Sequence, residues 1–342
     1  MFGRECASEF VTPTMLVAWM GELNDGFRSY SRGMARRSFD RNMHQITSVA
    51  MGTMVSIEVV ADLPAAVVRP ALERALDWFS LVEKACSRFD AGSELQQLCA
   101  HVGTPVPLSP LLFELLRFSL ALARETRGAF DPTVGARLES QGFNLHYLTG
   151  EIISSGVPVA TNVSYKEVKL DTKRKTVTLR RPLLVDLGGV AKGFAVDLAA
   201  RELSEFDGFC VEAGGDLFVG GRSPQGKHWQ IGVQHPREPG TVFCTINVSN
   251  QAVCTSGDYE RPAPDGGGHH LIDPRTGRSP DALVSATVIA STCLIADALS
   301  TTAFVLGPTA GMQLLERHDV EGMLITSSGE TYSTSGFTGL LT

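Results

Sequence analysis

Residues 185–197 read VDLGGVAKGFAVD. An apolar strand end runs into the glycine pair Gly188 and Gly189, and a helix-forming run follows. Glycines let backbone groups approach a phosphate closely, and a helix N-terminus supplies unpaired N–H donors. Lys192, just inside the expected helix, carries a charge that suits a phosphate. The spacing is neither GxGxxG nor GxxxxGK[ST], so this is not the glycine loop of a Rossmann domain or a P-loop. The plain alternative is a structural glycine turn.

Outward from that turn the pattern is α+β. Upstream, residues 54–60 predict a strand and 64–88 a long helix, with Leu72, Leu76, Phe79 and Val82 at helical spacing. Pro70 is expected in that helix's first turn. A second helix is expected over 109–126, closed by Gly128. Strands are expected over 167–170 and 176–179, joined by the charged turn 171–175. Downstream come a helix over 191–203 and short strands over 209–211, 216–219, 230–233 and 241–248. A strand over 286–290, helices over 295–305 and 309–318, and closing short strands complete the chain. Strands and helices do not alternate cleanly, which speaks against a doubly wound sheet.

The chain has 342 residues, enough for two domains or one large one. A formal net charge of −7 argues against nucleic acid as a partner. No uninterrupted apolar run reaches the roughly 18 residues of a membrane span. The seven cysteines are scattered, and no two form a CxxC pair, which fits free thiols better than disulfides or a zinc site. Residues 1–45 differ from the rest. Their apolar patch is short, no lipobox follows it, and five arginines (Arg28, Arg32, Arg36, Arg37 and Arg41) come after. The expectation is a flexible extension before a domain at 46–342. A cytoplasmic location is expected, or a periplasmic one if the start codon is mis-set.

Other stretches carry candidate chemistry. Asp297 and Thr301 stand at i and i+4 in IADALSTTA (295–303), so they share one helix face. A carboxylate and a hydroxyl one turn apart suit a hard cation such as Mg²⁺, although a hydrogen-bonded core pair has the same spacing. TSGDYER (255–261) and GGGHHLIDPRTG (266–277) read as turn chemistry around His269 and His270, at the head of a short strand. In GAFDPTVG (128–135), Asp131 and Pro132 make a turn, and Phe130 offers a ring for stacking. VEAGGDL (211–217), with Gly220 and Gly221 closing a hairpin, reads as structural.

These pieces occur in a telling order. MGT (51–53), SRF and SEL (87–95), GAFDPTVG, VDLGGVAKGFAVD, EAGGDLFVGG (212–221), TSGDYER, HLIDPRTG (270–277) and ADALSTTAFVLG (296–307) follow one another. The set resembles the FAD:protein FMN transferase family (ApbE-like), over about residues 47–342. The resemblance implies an α+β flavin-binding fold of antiparallel or mixed sheets and packed helices, not a Rossmann domain. It implies a Mg²⁺-dependent transfer of FMN from FAD to a threonine or serine hydroxyl of a target protein, through a phosphoester bond, with release of AMP. It places the metal on Asp297, Thr301 and the backbone carbonyl of Gly189. FAD contacts fall on Met51, Ala129, Phe130, Asp131, Asp186, Lys192 and Ile272. His270 and Asp297 become candidate bases, and metal binding at Asp297 would favour His270. Departures from the family pattern are Cys99 in place of an asparagine, Glu212 in place of another, and the missing proline and tryptophan in 136–143. FAD hydrolysis to FMN and AMP, and FAD binding without chemistry, are the rival readings.

Overall fold

The computed structural model describes residues 42–147, 149–157, 159–264 and 266–342. Most of the expected N-terminal extension lies outside them. The first strand, β1 (Met43–Ala50), already spans the expected domain boundary. Met51 and Gly52, at φ 53° and 77°, turn it into β2 (Thr53–Val60), because a tight hairpin needs left-handed residues at both turn positions. Helix α1 (Ala65–Cys86), α2 (Glu94–Ala100), β3 (Val106–Pro107), α3 (Pro110–Glu125) and α4 (Gly135–Ser140) follow. Then come β4 (Val168–Asp171), β5 (Thr176–Leu179), α5 (Ala191–Glu202), β6 (Gly208–Ala213) and β7 (Asp216–Gly221). The chain goes on through β8 (Trp229–Gln234), β9 (Val242–Val248), β10 (Gln251–Gly257) and β11 (Leu283–Ala290). It closes with α6 (Cys293–Arg317), β12 (Glu321–Thr326), β13 (Thr331–Ser333) and α7 (Ser335–Leu340).

Eight strands form one sheet in the order β1-β2-β6-β7-β10-β11-β12-β13. Every ladder between the described strands is antiparallel, so the class is α+β, as expected. The sheet is covered on both faces. Val55, Ile57, Val211, Cys254 and Val288 point into a large core shared with α1, α5 and α6. Val219, Val253, Ile289 and Ile325 point the other way, against the β8–β9 ribbon and Phe337 of α7. Residues of β11 are therefore buried along its whole length. A small sheet, β3-β5-β4, packs Val177 and Leu179 into the larger core.

Several expectations change. β1 and β10 are strands where the sequence signalled none or a turn. Helix α1 starts at Ala65 after Pro64, so Pro70 lies inside it rather than in its first turn. The hairpin turn between β6 and β7 is Gly214–Gly215, not Gly220–Gly221. No strand follows His270: residues 270–272 are irregular, and His269 makes only an isolated bridge to Pro262. The helices expected over 295–305 and 309–318 are, by contrast, both present: they run together as α6 across a non-helical break at Gly307 (φ 78°, ψ −179°), just before Pro308. Among the described helices α6 alone is long and apolar enough to cross a membrane, yet 67% of its most apolar window is buried in the core.

The start of α6 fixes the site's floor. Thr292 Oγ1 accepts from the amide of Ile295. The carboxylate of Asp197, reaching over from α5, accepts from the amides of Cys293 (2.7 Å) and Leu294 (2.9 Å). Free helix N-terminal amides favour an anion there. Burial nevertheless pushes the Asp197 carboxyl up to about 7 against those two hydrogen bonds.

Candidate active site

A cleft of about 550 Å³ opens where the β1–β2 and β6–β7 turns, the end of β10 and the starts of α5 and α6 converge. That volume lies within the range of small-molecule sites.

The floor carries the charge. Lys192, in the first turn of α5, ion-pairs with Asp216 Oδ2, and its Nζ lies 3.8 Å from Asp297 Oδ2. Asp216 opens β7 immediately after Gly214 and Gly215, both at positive φ. A Cβ on Gly214 would meet Thr53 Oγ1 at 2.3 Å, so glycine lets the two hairpin tips touch. Asp297 Oδ2 also accepts from the amide of Gly193 (3.1 Å). One turn further along α6, the Thr301 hydroxyl is 3.1 Å from Ser256 Oγ at the end of β10. Gly189 closes the group: a Cβ there would lie 3.4–3.5 Å from Thr301 and 3.4 Å from Phe130. The sequence-predicted set Gly189, Lys192, Asp297 and Thr301 is thus brought together.

Burial works against the Lys192 ammonium, but Asp216 and then Asp297 outweigh it and hold the group protonated, above its ordinary range. Burial raises the Asp297 carboxyl above the usual carboxylate range, and Asp216 adds to the rise, while Lys192 and the Gly193 amide oppose it. Among the described residues no three His, Cys, Asp or Glu side chains converge as a preformed metal site. The donors present are oxygens: the carboxylate of Asp297, the hydroxyl of Thr301 and the nearby Gly189 backbone. That set fits Mg²⁺, which binds through one or two carboxylates and completes its shell with water and substrate phosphates.

One wall is organised by Arg88, which sequence reading passed over. Its guanidinium donates to Asp186 Oδ2 and to the Phe143 carbonyl, and its own carbonyl accepts from the Gln96 side chain. Asp186 Oδ1 accepts from the Gly188 amide at 2.8 Å, which shapes the glycine turn. Met51, Ala129, Phe130 and Ile272 line the same cleft. Asp131 lines it as well, but both its oxygens are engaged within the protein, by Thr133 and by the Tyr165 amide. It shapes the turn that presents Phe130.

The two histidines separate. His269 is buried, with Nε2 2.9 Å from the Pro280 carbonyl and its ring edge-on to Phe304. His270 lines the cleft, edge-on to Phe143. Burial, then Arg261, His269 and Lys192, lower its pKa to about 3, so its ring is neutral at pH 7. Beyond Arg88, sequence reading missed Asp216 and Ser256. The GGD turn was the signal for Asp216, since a carboxylate directly after two flexible glycines is set to point into a turn-lined space.

A family model described as the ApbE family matches residues 51–324. The FAD:protein FMN transferase of Haemophilus influenzae is 32% identical over 278 residues, 75% of this chain and 79% of that protein. The crystal structure of the ApbE protein from Thermotoga maritima superposes with a TM-score of 0.77 at 31% identity, covering 87% of this chain and 99% of that one. The flavin transferase ApbE from Vibrio cholerae gives a TM-score of 0.75 at 26% identity, covering 88% and 100%.

Proposed function

Because the chain belongs to the ApbE family, we propose that it is an FAD:protein FMN transferase that uses Mg²⁺ to move FMN onto a serine or threonine hydroxyl of a target protein. The observation that carries this is the Gly189, Lys192, Asp297 and Thr301 constellation on the floor of a cleft built by flavin-transferase elements. The hydroxyl oxygen of the acceptor bonds to the phosphorus of the FMN half of FAD. The bond from that phosphorus to the bridging oxygen breaks, and AMP leaves with it. The acceptor's proton goes to a base.

Asp297, Thr301 and the Gly189 carbonyl would hold the metal, and Mg²⁺ bound there would neutralise charge on the pyrophosphate oxygens. The Lys192 ammonium, kept protonated by two carboxylates, adds positive charge on the same floor. The glycine turn at 188–189 lets the pyrophosphate come close to the backbone, and Asp186, fixed by Arg88, sets that turn's shape. Phe130 gives the cleft a flat apolar wall. His270 is the proposed base because its ring lines the cleft in its neutral, proton-accepting form, although the burial and nearby cations that keep it neutral also weaken it as a base. Asp297 would be engaged by the metal and by the Gly193 amide.

The test is intact-mass spectrometry of an acceptor domain incubated with the protein, FAD and Mg²⁺. A mass gain of FMN less water, absent with Asp297→Ala, is expected. Free FMN and AMP without a mass gain would replace the transferase with an FAD hydrolase.

A further inference from the structure

Two buried carboxylates on the cleft floor share one ammonium. Asp216 and Asp297 are 2% and 4% exposed at their side chains, and Lys192 lies between them. If Asp297 holds a divalent cation, as the proposed function has it, the Lys192 ammonium, 3.8 Å from Asp297 Oδ2, repels that cation. Such repulsion over a few ångströms is strong even at an effective dielectric of about 20. Among the described residues, no hydrogen bond or ion pair joins the other charged groups lining the cleft to Lys192 or Asp297: Glu83 accepts from the Tyr147 hydroxyl, Asp131 is engaged by Thr133 and the Tyr165 amide, and Glu260 stands beside Arg261. Arg88 and Asp186 cancel each other. Asp197 is engaged by the α6 amides. Arg261 reaches the rim beside Gly52 and adds positive charge.

The geometry points to Asp216 as the positioning residue that neutralises Lys192, so that an ammonium and a divalent cation can share this floor. Asp216 touches neither the Thr301 hydroxyl nor Gly189. It acts through Lys192, holding the ammonium toward β7. The sequence supports the pairing: Asp216 follows the flexible Gly214–Gly215 turn, which delivers its carboxylate to the start of α5.

The test is Mn²⁺ binding, read by electron paramagnetic resonance on the full chain without FAD. Wild type, Asp216→Asn, Lys192→Met and the double variant are compared. Asp216→Asn keeps shape but leaves Asp297, the cation's own ligand, as the ammonium's one remaining carboxylate partner, and it is expected to weaken Mn²⁺ binding about tenfold or more. Removing the ammonium as well, in the double variant, restores affinity to within about threefold of wild type, by the same Coulomb argument. Wild-type affinity in Asp216→Asn would overturn the proposal. So would a double variant as weak as Asp216→Asn, which would make Asp216 a direct ligand. Should Asp216→Asn fail to fold by circular dichroism, Lys192→Met decides: tighter binding than wild type supports the proposal, and unchanged or weaker binding overturns it. No Mn²⁺ binding by wild type would overturn the metal reading and this inference with it.

Discussion

Replacing Gly193 by alanine tests how tightly the site depends on one helix crossing. Gly193 is helical at ordinary φ, so the residue is required by space and not by conformation. A Cβ there would sit 2.4 Å from the Cys293 carbonyl oxygen, 2.7 Å from its carbon and 2.9 Å from Asp297 Cβ. Two of these neighbours are backbone, which cannot swing aside. The start of α6 must therefore retreat by about 1 Å to reach the 3.4 Å of an ordinary contact. Overpacking of this kind costs about 1–3 kcal/mol. Alanine's better helix propensity returns up to about 1 kcal/mol. With unyielding backbone neighbours the cost falls at the upper end, about 2–3 kcal/mol, so the net loss is about 1–2 kcal/mol, measured by urea denaturation. The same shift stretches the hydrogen bond from the Gly193 amide to Asp297 and moves Lys192 relative to Asp297. A displacement near 1 Å can cost about 10²-fold in rate, read as initial FMN transfer by mass spectrometry. Gly189→Ala is the control for stability, since its Cβ meets nothing closer than 3.4 Å. If Gly193→Ala matches wild type in both stability and rate, α5 and α6 do not cross as described.

Asp197→Ala removes the acceptor for two amides at the start of α6, and a loss of about 2–4 kcal/mol is expected in urea denaturation; a loss below about 0.5 kcal/mol would show that the carboxylate does not cap the helix. The two histidines should separate cleanly. His270→Ala lowers the transfer rate about 10²–10⁴-fold with little change in melting temperature. His269→Ala costs about 1–3 kcal/mol and largely spares the rate. Reversed phenotypes would exchange their roles. His270 also makes a pH prediction. Its folded pKa of about 3 lies below its ordinary 6.5, so the unfolded chain takes up the proton first. Its contribution to stability is complete above pH 6.5 and is lost as pH falls from 6.5 toward 3. The drop in stability between pH 7 and 4.5 should be smaller in His270→Gln than in wild type, and equal drops would place the ring in solvent.

What the sequence disclosed was local in origin. Asp297 and Thr301 were legible as a pair because helical spacing alone puts i and i+4 on one face. The glycine turn at 188–189 was legible because strand, turn and helix signals adjoin. Arg88 and Asp216 were not, because their meaning depends on partners 98 and 24 residues away along the chain. β10 was misread for another reason. Its sequence QAVCTSG carries hydroxyls that mimic a turn, yet Thr255 pairs with Thr287 of β11 and Ser256 with Ser300 of the covering helix α6. A strand covered on both faces loses the polar–apolar alternation that marks a half-exposed one. Residue chemistry alone did not separate His269 from His270; the family resemblance singled out His270, and the packing of Phe304 and the Pro280 carbonyl sets His269 aside as structural.

The site and the core are joined along the α5–α6 seam. Asp197 ties α5 to the first amides of α6, Gly193 sets how closely the helices approach, and Asp297 closes the seam through the Gly193 amide. Lys192 and Asp297, which face the cleft, are therefore neighbours of the residues that fix helix spacing. Their separation is a property of core packing, not of a mobile loop. Burial raises the Asp297 carboxyl above the ordinary range, so a charge in that position costs stability. An apolar residue there would pack at less cost, but it would offer no oxygen to the proposed metal. It follows that stabilising substitutions at Asp297 should be found at the expense of transfer rate, while those on the β8–β9 ribbon, across the sheet, should leave the rate alone.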